Sequence, residues 1–183
     1  MKSWVIFDGL PGSGKTTLAK DISKKFGFIY VKVEEDELKK LKEGEERCRY
    51  ILGKIKGTIL KEDNVVWDNL SFPSYEYISG RRESFNIYLK MLKEIFDRNR
   101  VYVIYFYIDV DSEVSKKRKG EELSEFDLKI LNNSGIFEKL LEIQGKYLGN
   151  VFYKIDGKEK LDIVYEEVKE KILKSFQHFK RQS

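Results

Sequence analysis

The stretch Trp4-Val5-Ile6-Phe7-Asp8-Gly9-Leu10-Pro11-Gly12-Ser13-Gly14-Lys15-Thr16 decides the architecture. A short apolar run, Ser3–Asp8, breaks into a glycine-rich turn. The turn opens a segment in which Leu18, Ile22 and Phe26 share one helical face. Strand, turn and helix in that order surround the pattern G-x-x-x-x-G-K-[ST]. Its glycines let the backbone curl so that successive N–H groups point at phosphate oxygens. The helix starting near Lys15 adds the positive end of its dipole. On this pattern Gly9, Pro11, Gly12, Ser13, Gly14, Lys15, Thr16 and Thr17 hold a nucleotide cofactor, ATP. Lys15 reaches the β- and γ-phosphates, and the Thr16 hydroxyl ligates Mg²⁺. The plainer reading is a turn that only reverses the chain. With glycine near ~7% of residues, the four specified positions match by accident in well under ~5% of chains this long, so the binding reading is preferred.

Working outward, Phe28–Val33, Asn64–Asp68, Val101–Ile108 and Val151–Ile155 read as four further strands. Val101–Ile108 is the most continuous apolar run, as a central strand buried on both faces requires. Between the second and third strands Leu38, Leu41, Cys48, Leu52, Ile55 and Ile59 recur at helical spacing. Leu70 to Gly80, holding Pro73, reads as a loop, and a helix is expected from about Glu83 to Arg98. Leu161, Val164, Val168 and Ile172 mark a closing helix, after which the polar tail from Ser175 to Ser183 is expected to fray. The alternation predicts an α/β fold: a doubly wound, five-stranded, mainly parallel sheet flanked by helices. At 183 residues, with no repeat and no linker, the chain reads as a single domain, 1–183.

Bulk properties narrow the partners. Hydrophobic residues make up 41% and charged residues 36%, with Lys and Glu interspersed and a net charge of only +4. That surplus suits a phosphate-rich ligand but is too small and scattered to argue for nucleic acid. One cysteine, Cys48, rules out an internal disulfide, and with His178 as the sole histidine a structural zinc site is not expected. No segment reads as a secretory signal or a bilayer span, so the expectation is no membrane and a reducing, cytoplasmic setting.

Two carboxylates belong with the phosphate loop. Asp8 ends the first strand and Asp68 the third, and ligands of open α/β sheets collect outside the carboxyl ends of strands. Each is a candidate for the Mg²⁺ shell, or for taking the proton of an acceptor hydroxyl. The plainer role for both is a turn or helix cap.

The pattern resembles the thymidylate kinase and deoxynucleoside kinase group of P-loop kinases. Four segments carry the likeness: Phe7-Asp8-Gly9 into the phosphate loop; Val66-Trp67-Asp68-Asn69 with Ser71, Ser74 and Tyr77 behind it; Tyr107 to Val114 leading to Arg118; and Tyr153-Lys154-Ile155-Asp156-Gly157. The resemblance implies a P-loop NTPase kinase fold with a short lid at about 116–135. Its catalytic residues would be Lys15, Asp68 and Arg118, the last closing over the γ-phosphate. Metal ligands would be Thr16, Asp68 and Asp8, with Asp8 also facing substrate. The implied reaction moves the γ-phosphate of MgATP to a nucleoside monophosphate, a deoxynucleotide such as dTMP. A deoxynucleoside kinase and a 5′-polynucleotide kinase stay open as alternatives, so nucleic acid enters only as a 5′-end substrate. The partner is a small-molecule nucleotide, and a homodimer is left open.

This sequence also departs from the group. Its arginine after the strand acid is Asn69 here, and the stretch Glu34 to Asp63 lacks its acceptor signatures. A monophosphate acceptor needs a cation that Asn69 cannot supply. Arg81 and Arg82 are the first candidates, then Arg47 and Arg49, against the plainer reading of surface pairs with nearby glutamates. Phe72 and Tyr75 are candidates to stack an acceptor base, against simple packing. A GTPase switch is disfavoured: there is no Asn-Lys-x-Asp reader, and Asp68 is followed by Asn69-Leu70-Ser71 rather than Asp-x-x-Gly. A nucleotide-binding module without turnover is a further alternative.

Overall fold

The computed structural model describes residues 2–120 and 122–182. Glu121, part of the acidic stretch of the expected lid, and the terminal Ser183 lie outside the described residues. Five strands form one sheet: β1 (Lys2–Gly9), β2 (Ile29–Lys32), β3 (Asn64–Asp68), β4 (Val101–Asp109) and β5 (Val151–Asp156). Their order is β2-β3-β1-β4-β5, and every pairing is parallel. The chain therefore travels to one edge after β1 and returns across it to reach β4. The carboxyl end of β1 lies where the direction of travel reverses, the position at which open sheets bind ligands. The doubly wound, five-stranded parallel expectation holds.

Side-chain alternation along β1 feeds both faces. Trp4 and Ile6 join Trp67, Val103 and Tyr105 beneath α3 (Glu45–Lys61), α5 (Arg82–Arg98) and α8 (Ser134–Leu148). Val5 and Phe7 join Val66, Ile104 and Phe106 beneath α1 (Lys15–Phe26) and α9 (Leu161–Gln182). Stacked pairs lock the strands together: Trp4 on Trp67 at 5.4 Å and Phe7 on Phe106 at 5.2 Å. Each such pair is worth ~0.5–1.5 kcal/mol beyond its burial. A third cluster, Leu10, Tyr107, Val110, Ile130, Leu131, Phe137 and Leu141, closes the carboxyl end of the sheet under α7 (Glu125–Asn132).

Three elements differ from expectation. The continuous helical spacing from Leu38 to Ile59 is split into α2 (Glu35–Lys39) and α3. Gly44 lies between them at φ 86°, a conformation that side-chain-bearing residues resist. The segment read as a loop contains α4 (Phe72–Ile78), with Pro73 in its first turn. Proline is at home there because the first-turn N–H groups have no helical partner to lose. The tail does not fray before residue 182: α9 runs through it, Ser175 is buried, and Phe176 meets Phe28 at 6.1 Å. No helix among the described residues is long and apolar enough to cross a membrane.

Candidate active site

The phosphate loop follows from local geometry. Gly12 has φ 74°, and a Cβ there would meet the Ser115 carbonyl oxygen at 2.8 Å. Ser115 belongs to α6 (Ser112–Lys119); it is fully buried, and its hydroxyl donates to the Pro11 carbonyl. The basic helix is thus packed directly on the loop, which explains why glycine is required at position 12.

Three adjoining cavities surround this loop. The first, on the phosphate side, is lined by Gly12, Gly14, Lys15, Thr16, Thr17, Asp68 and Arg118. A second continues past Arg118 along Ser13, Leu18 and 157–161. The third opens away from the loop, between Gly9 and Pro11 on one side and Val33, Leu38, Ile51, Phe72, Tyr75, Phe126 and Ile130 on the other. Its polar wall is Lys15, Glu35, Arg47, Asn69, Ser71, Glu76 and Asp127. A mainly apolar cleft with a few convergent polar groups is the form that small-molecule sites take.

Lys15 borders both the first and third cavities, and its Nζ donates to the Leu10 carbonyl at 3.0 Å. Burial pushes its pKa below the ordinary lysine value, opposed by the charges of Asp68 and Asp8. A cation partly shielded from water attracts phosphate oxygens more strongly. Asp68 is fully buried; its Oδ2 accepts from the Tyr30 hydroxyl at 2.8 Å, and its Oδ1 has no partner within the protein. Such a bare oxygen costs ~1–3 kcal/mol unless a ligand satisfies it. With Thr16 on the same cavity, Asp68 supplies a hard oxygen pair that fits Mg²⁺, which takes few protein ligands and fills its shell with phosphates and water. Among the described residues there is no larger cluster of metal-ligating side chains.

Asp8 lies elsewhere. It borders none of these cavities; its carboxylate is enclosed between the Leu70 amide, 2.9 Å away, the Tyr105 hydroxyl and Gln144 Nε2 at 3.4 Å. Burial pushes its pKa up to about 7, against the hydrogen bonds and the Lys15 charge. Gln144 also donates to the Leu70 carbonyl at 3.0 Å, and Ser74 donates to Gln144 Oε1 at 3.2 Å. The metal- and substrate-facing expectation for Asp8 gives way to a buried network that ties β1 to the turn after β3.

Asn69, where the resemblance implies arginine, sits at φ 71°, which asparagine tolerates better than most residues. Its Oδ1 accepts from the Ser71 amide at 3.1 Å and from the Ser71 hydroxyl, closing an Asx turn. The four candidate arginines separate. Arg49 is exposed and pairs with Glu45; Arg82 lies over Tyr77 at 5.6 Å; neither borders the third cavity. Arg81 is held bidentately by the buried Glu76. Arg47 alone of the four borders the cavity, its guanidinium 5.1 Å from the Phe126 ring and its Nε donating to Leu41 O. Phe72 and Tyr75 both line the cavity, Tyr75 stacked on Phe126 at 4.9 Å. Arg118 donates to the Gly157 carbonyl at 2.8 Å while bordering the phosphate side.

Several residues here were missed. Glu35 borders both the phosphate side and the third cavity, and its Oε1 accepts from Ser124 at 3.1 Å. The rule applied to Asp8 and Asp68 would have found it, since it follows the carboxyl end of β2. Asp127, in the expected lid, is buried, caps α7 through Ser124 and pairs with Lys119 at 3.0 Å. Phe126, Glu76 and Gln144 carried no local signal; helices distant in sequence bring them in.

A family model for the ATPases associated with various cellular activities (AAA) matches residues 5–68, from β1 to the end of β3. A cytidylate kinase from Fusobacterium nucleatum subsp. nucleatum is 27% identical over 168 residues, which is 92% of this chain and 62% of that protein. The chain thus spans about three fifths of the curated relative it matches. Among solved structures, a deoxyadenosine kinase from M. mycoides, with dCMP and a flexible dCDP bound as products, superposes with a TM-score of 0.65 at 19% identity, covering 93% of this chain and 98% of that one. The YorR protein of Bacillus subtilis, in complex with phosphorylated GDP, gives 0.62 at 21% identity, covering 96% and 98%. The fold is that of a P-loop nucleotide kinase, and the match to the AAA model is confined to the segment that carries the phosphate loop.

Proposed function

We propose that this protein transfers the γ-phosphoryl group of ATP to the 5′-hydroxyl of a deoxynucleoside. The sequence alone favoured a monophosphate acceptor of the thymidylate kinase type; the comparisons support the deoxynucleoside alternative better. The observation that carries the reading is the charge of the third cavity. Its lining sets the acids Glu35, Glu76 and Asp127 against the cations Lys15 and Arg47, and Arg47 is already paired with Glu43 at 3.4 Å, as Arg81 beside it is with Glu76. An acceptor phosphate would bring about two more negative charges beside the γ-phosphate with no free arginine to receive them. An uncharged sugar hydroxyl needs none.

In this reading the triphosphate lies along the loop amides, with Lys15 on the transferring group and its nucleoside end past Arg118. Thr16 and Asp68 would hold Mg²⁺, which would neutralise charge on the phosphate oxygens. The acceptor lies between the apolar walls, its base near Phe72, Tyr75 and Phe126. Its oxygen attacks the γ-phosphorus in line as the bond to the bridging oxygen of ADP breaks. The proton passes to a carboxylate, and Glu35 is better situated than Asp68, because Asp68 borders only the phosphate side. The contribution of the protein is positioning and charge neutralisation.

An ATP-consumption screen across nucleosides, deoxynucleosides, monophosphates and a 5′-hydroxyl oligonucleotide tests this. Turnover confined to one or more deoxynucleosides is expected. Faster turnover of any monophosphate than of its nucleoside refutes the acceptor assignment. A monophosphate acceptor is the second reading, favoured by the likeness to a cytidylate kinase and by Arg47 on the cavity wall.

A further inference from the structure

Tyr30 lies on β2 with its half-buried ring packed against the core cluster of Val5, Phe7 and Val66, under Lys20 Nζ at 5.8 Å. Its hydroxyl reaches across to the neighbouring strand, where the register sets Tyr30 opposite Val66 and Lys32 opposite Asp68. There it donates to Asp68 Oδ2 at 2.8 Å. The two oxygens of one buried carboxylate are thereby made unequal. Oδ2 is occupied and fixed in direction, while Oδ1, equally shielded from water, has no protein partner and belongs to a side chain on the phosphate cavity.

We propose that Tyr30 is a positioning residue for the Mg²⁺ site, holding the Asp68 carboxylate in the one rotation that presents Oδ1 to the metal shell. The proposal rests on the kinase reading above and deepens it. Without this donor the carboxylate could turn about its χ2, a broad torsion with no strong staggered wells, and share the metal with its own rotation. A tyrosine suits the task. Its phenolic hydroxyl is an uncharged donor, and the ring packed against the core fixes the direction in which it donates. Lysine or arginine in its place would also add a positive charge next to a metal that the same carboxylate must attract. The plainer role is a packed edge-strand tyrosine whose hydroxyl has found an acceptor. The two roles predict different measurements.

The test uses Tyr30→Phe, which keeps the ring and its packing, with Mn²⁺ as the metal probe. Mn²⁺ affinity of the ADP-bound protein is read by electron paramagnetic resonance, and ADP affinity without metal by calorimetry. Removing an outer-shell partner commonly weakens metal binding ~10–100-fold, so a loss of at least ~10-fold in Mn²⁺ affinity is expected, with metal-free ADP affinity changed by less than ~2-fold. In an Asp68→Asn background the same change is expected to add nothing, because the oriented group is gone. Unchanged Mn²⁺ affinity in Tyr30→Phe overturns the proposal. So does an equal loss of metal-free ADP binding, which marks a packing defect. If the parent protein itself shows no metal-dependent ADP binding, the kinase reading falls, and this proposal falls with it.

Discussion

Asp8→Asn is expected to flatten the dependence of stability on pH between about 4 and 7. In the folded chain this carboxyl is enclosed by the Leu70 amide, the Tyr105 hydroxyl and Gln144, and burial raises its pKa from 3.8 to about 7. Below pH 3.8 both folded and unfolded chains hold the proton, and the group contributes no difference. Between 3.8 and 7 the folded chain keeps a proton that the unfolded chain releases, so stability falls as pH rises. Above 7 both are ionised and the cost is constant. The interval of about 3 pH units, at about 1.36 kcal/mol each, gives a cost of about 4 kcal/mol at pH 8 relative to pH 4. An asparagine mimics the neutral acid: its Oδ1 accepts from Leu70 and its Nδ2 donates to the Tyr105 oxygen. Urea unfolding of both proteins at intervals from pH 4 to pH 8 measures the difference, and other titrating groups cancel in the comparison. The parent is expected to lose about 4 kcal/mol more than the variant across that range. Parallel profiles would mean that Asp8 stays ionised when buried, and would refute the reasoning.

Further outcomes follow from the site. Lys15→Ala is expected to lower kcat by at least ~100-fold with an unchanged circular dichroism spectrum, because it removes the charge on the transferring phosphate; activity within a few-fold of the parent contradicts the phosphate-loop assignment. Glu35→Gln is expected to cut kcat far more than it raises the KM for ATP, whereas an equal effect on both would move the proton acceptor elsewhere. Gly12→Ala is expected to weaken ATP binding and lower the Tm, since its Cβ would lie 2.8 Å from the Ser115 carbonyl at a left-handed φ; calorimetry with an ATP analogue checks it. The proposed lid at about 116–135 is expected to gain protection from limited proteolysis when a non-hydrolysable ATP analogue binds, and equal cleavage with and without the analogue counts against it.

The phosphate loop was legible in the sequence because its geometry is local. Glycines at set positions and the start of one helix suffice to curl eight consecutive residues around an anion, and a strand ending at Asp8 feeds them. The five strands were legible for a related reason: a parallel sheet buried on both faces writes itself as apolar runs such as Val101–Ile108. Local signals also misled where context overrides them. Pro73 reads as a breaker until its place in the first turn of α4 is known, and one helical period hides the break at Gly44. The acceptor side was beyond the sequence. Its walls come from α2, α3, α4 and α7, and nothing in the spacing of Glu35, Arg47, Tyr75 and Phe126 shows that they meet. Asp8 and Asp68 make the point most sharply, since both are strand-terminal aspartates and the sequence treats them alike. Packing of α8 places Gln144 on Asp8 and seals it into the core, while Tyr30 holds only one oxygen of Asp68 and leaves the other bare. Which of two like carboxylates meets a ligand is decided by the neighbours that long-range packing delivers, because desolvation and hydrogen bonding depend on those neighbours and not on position along a strand.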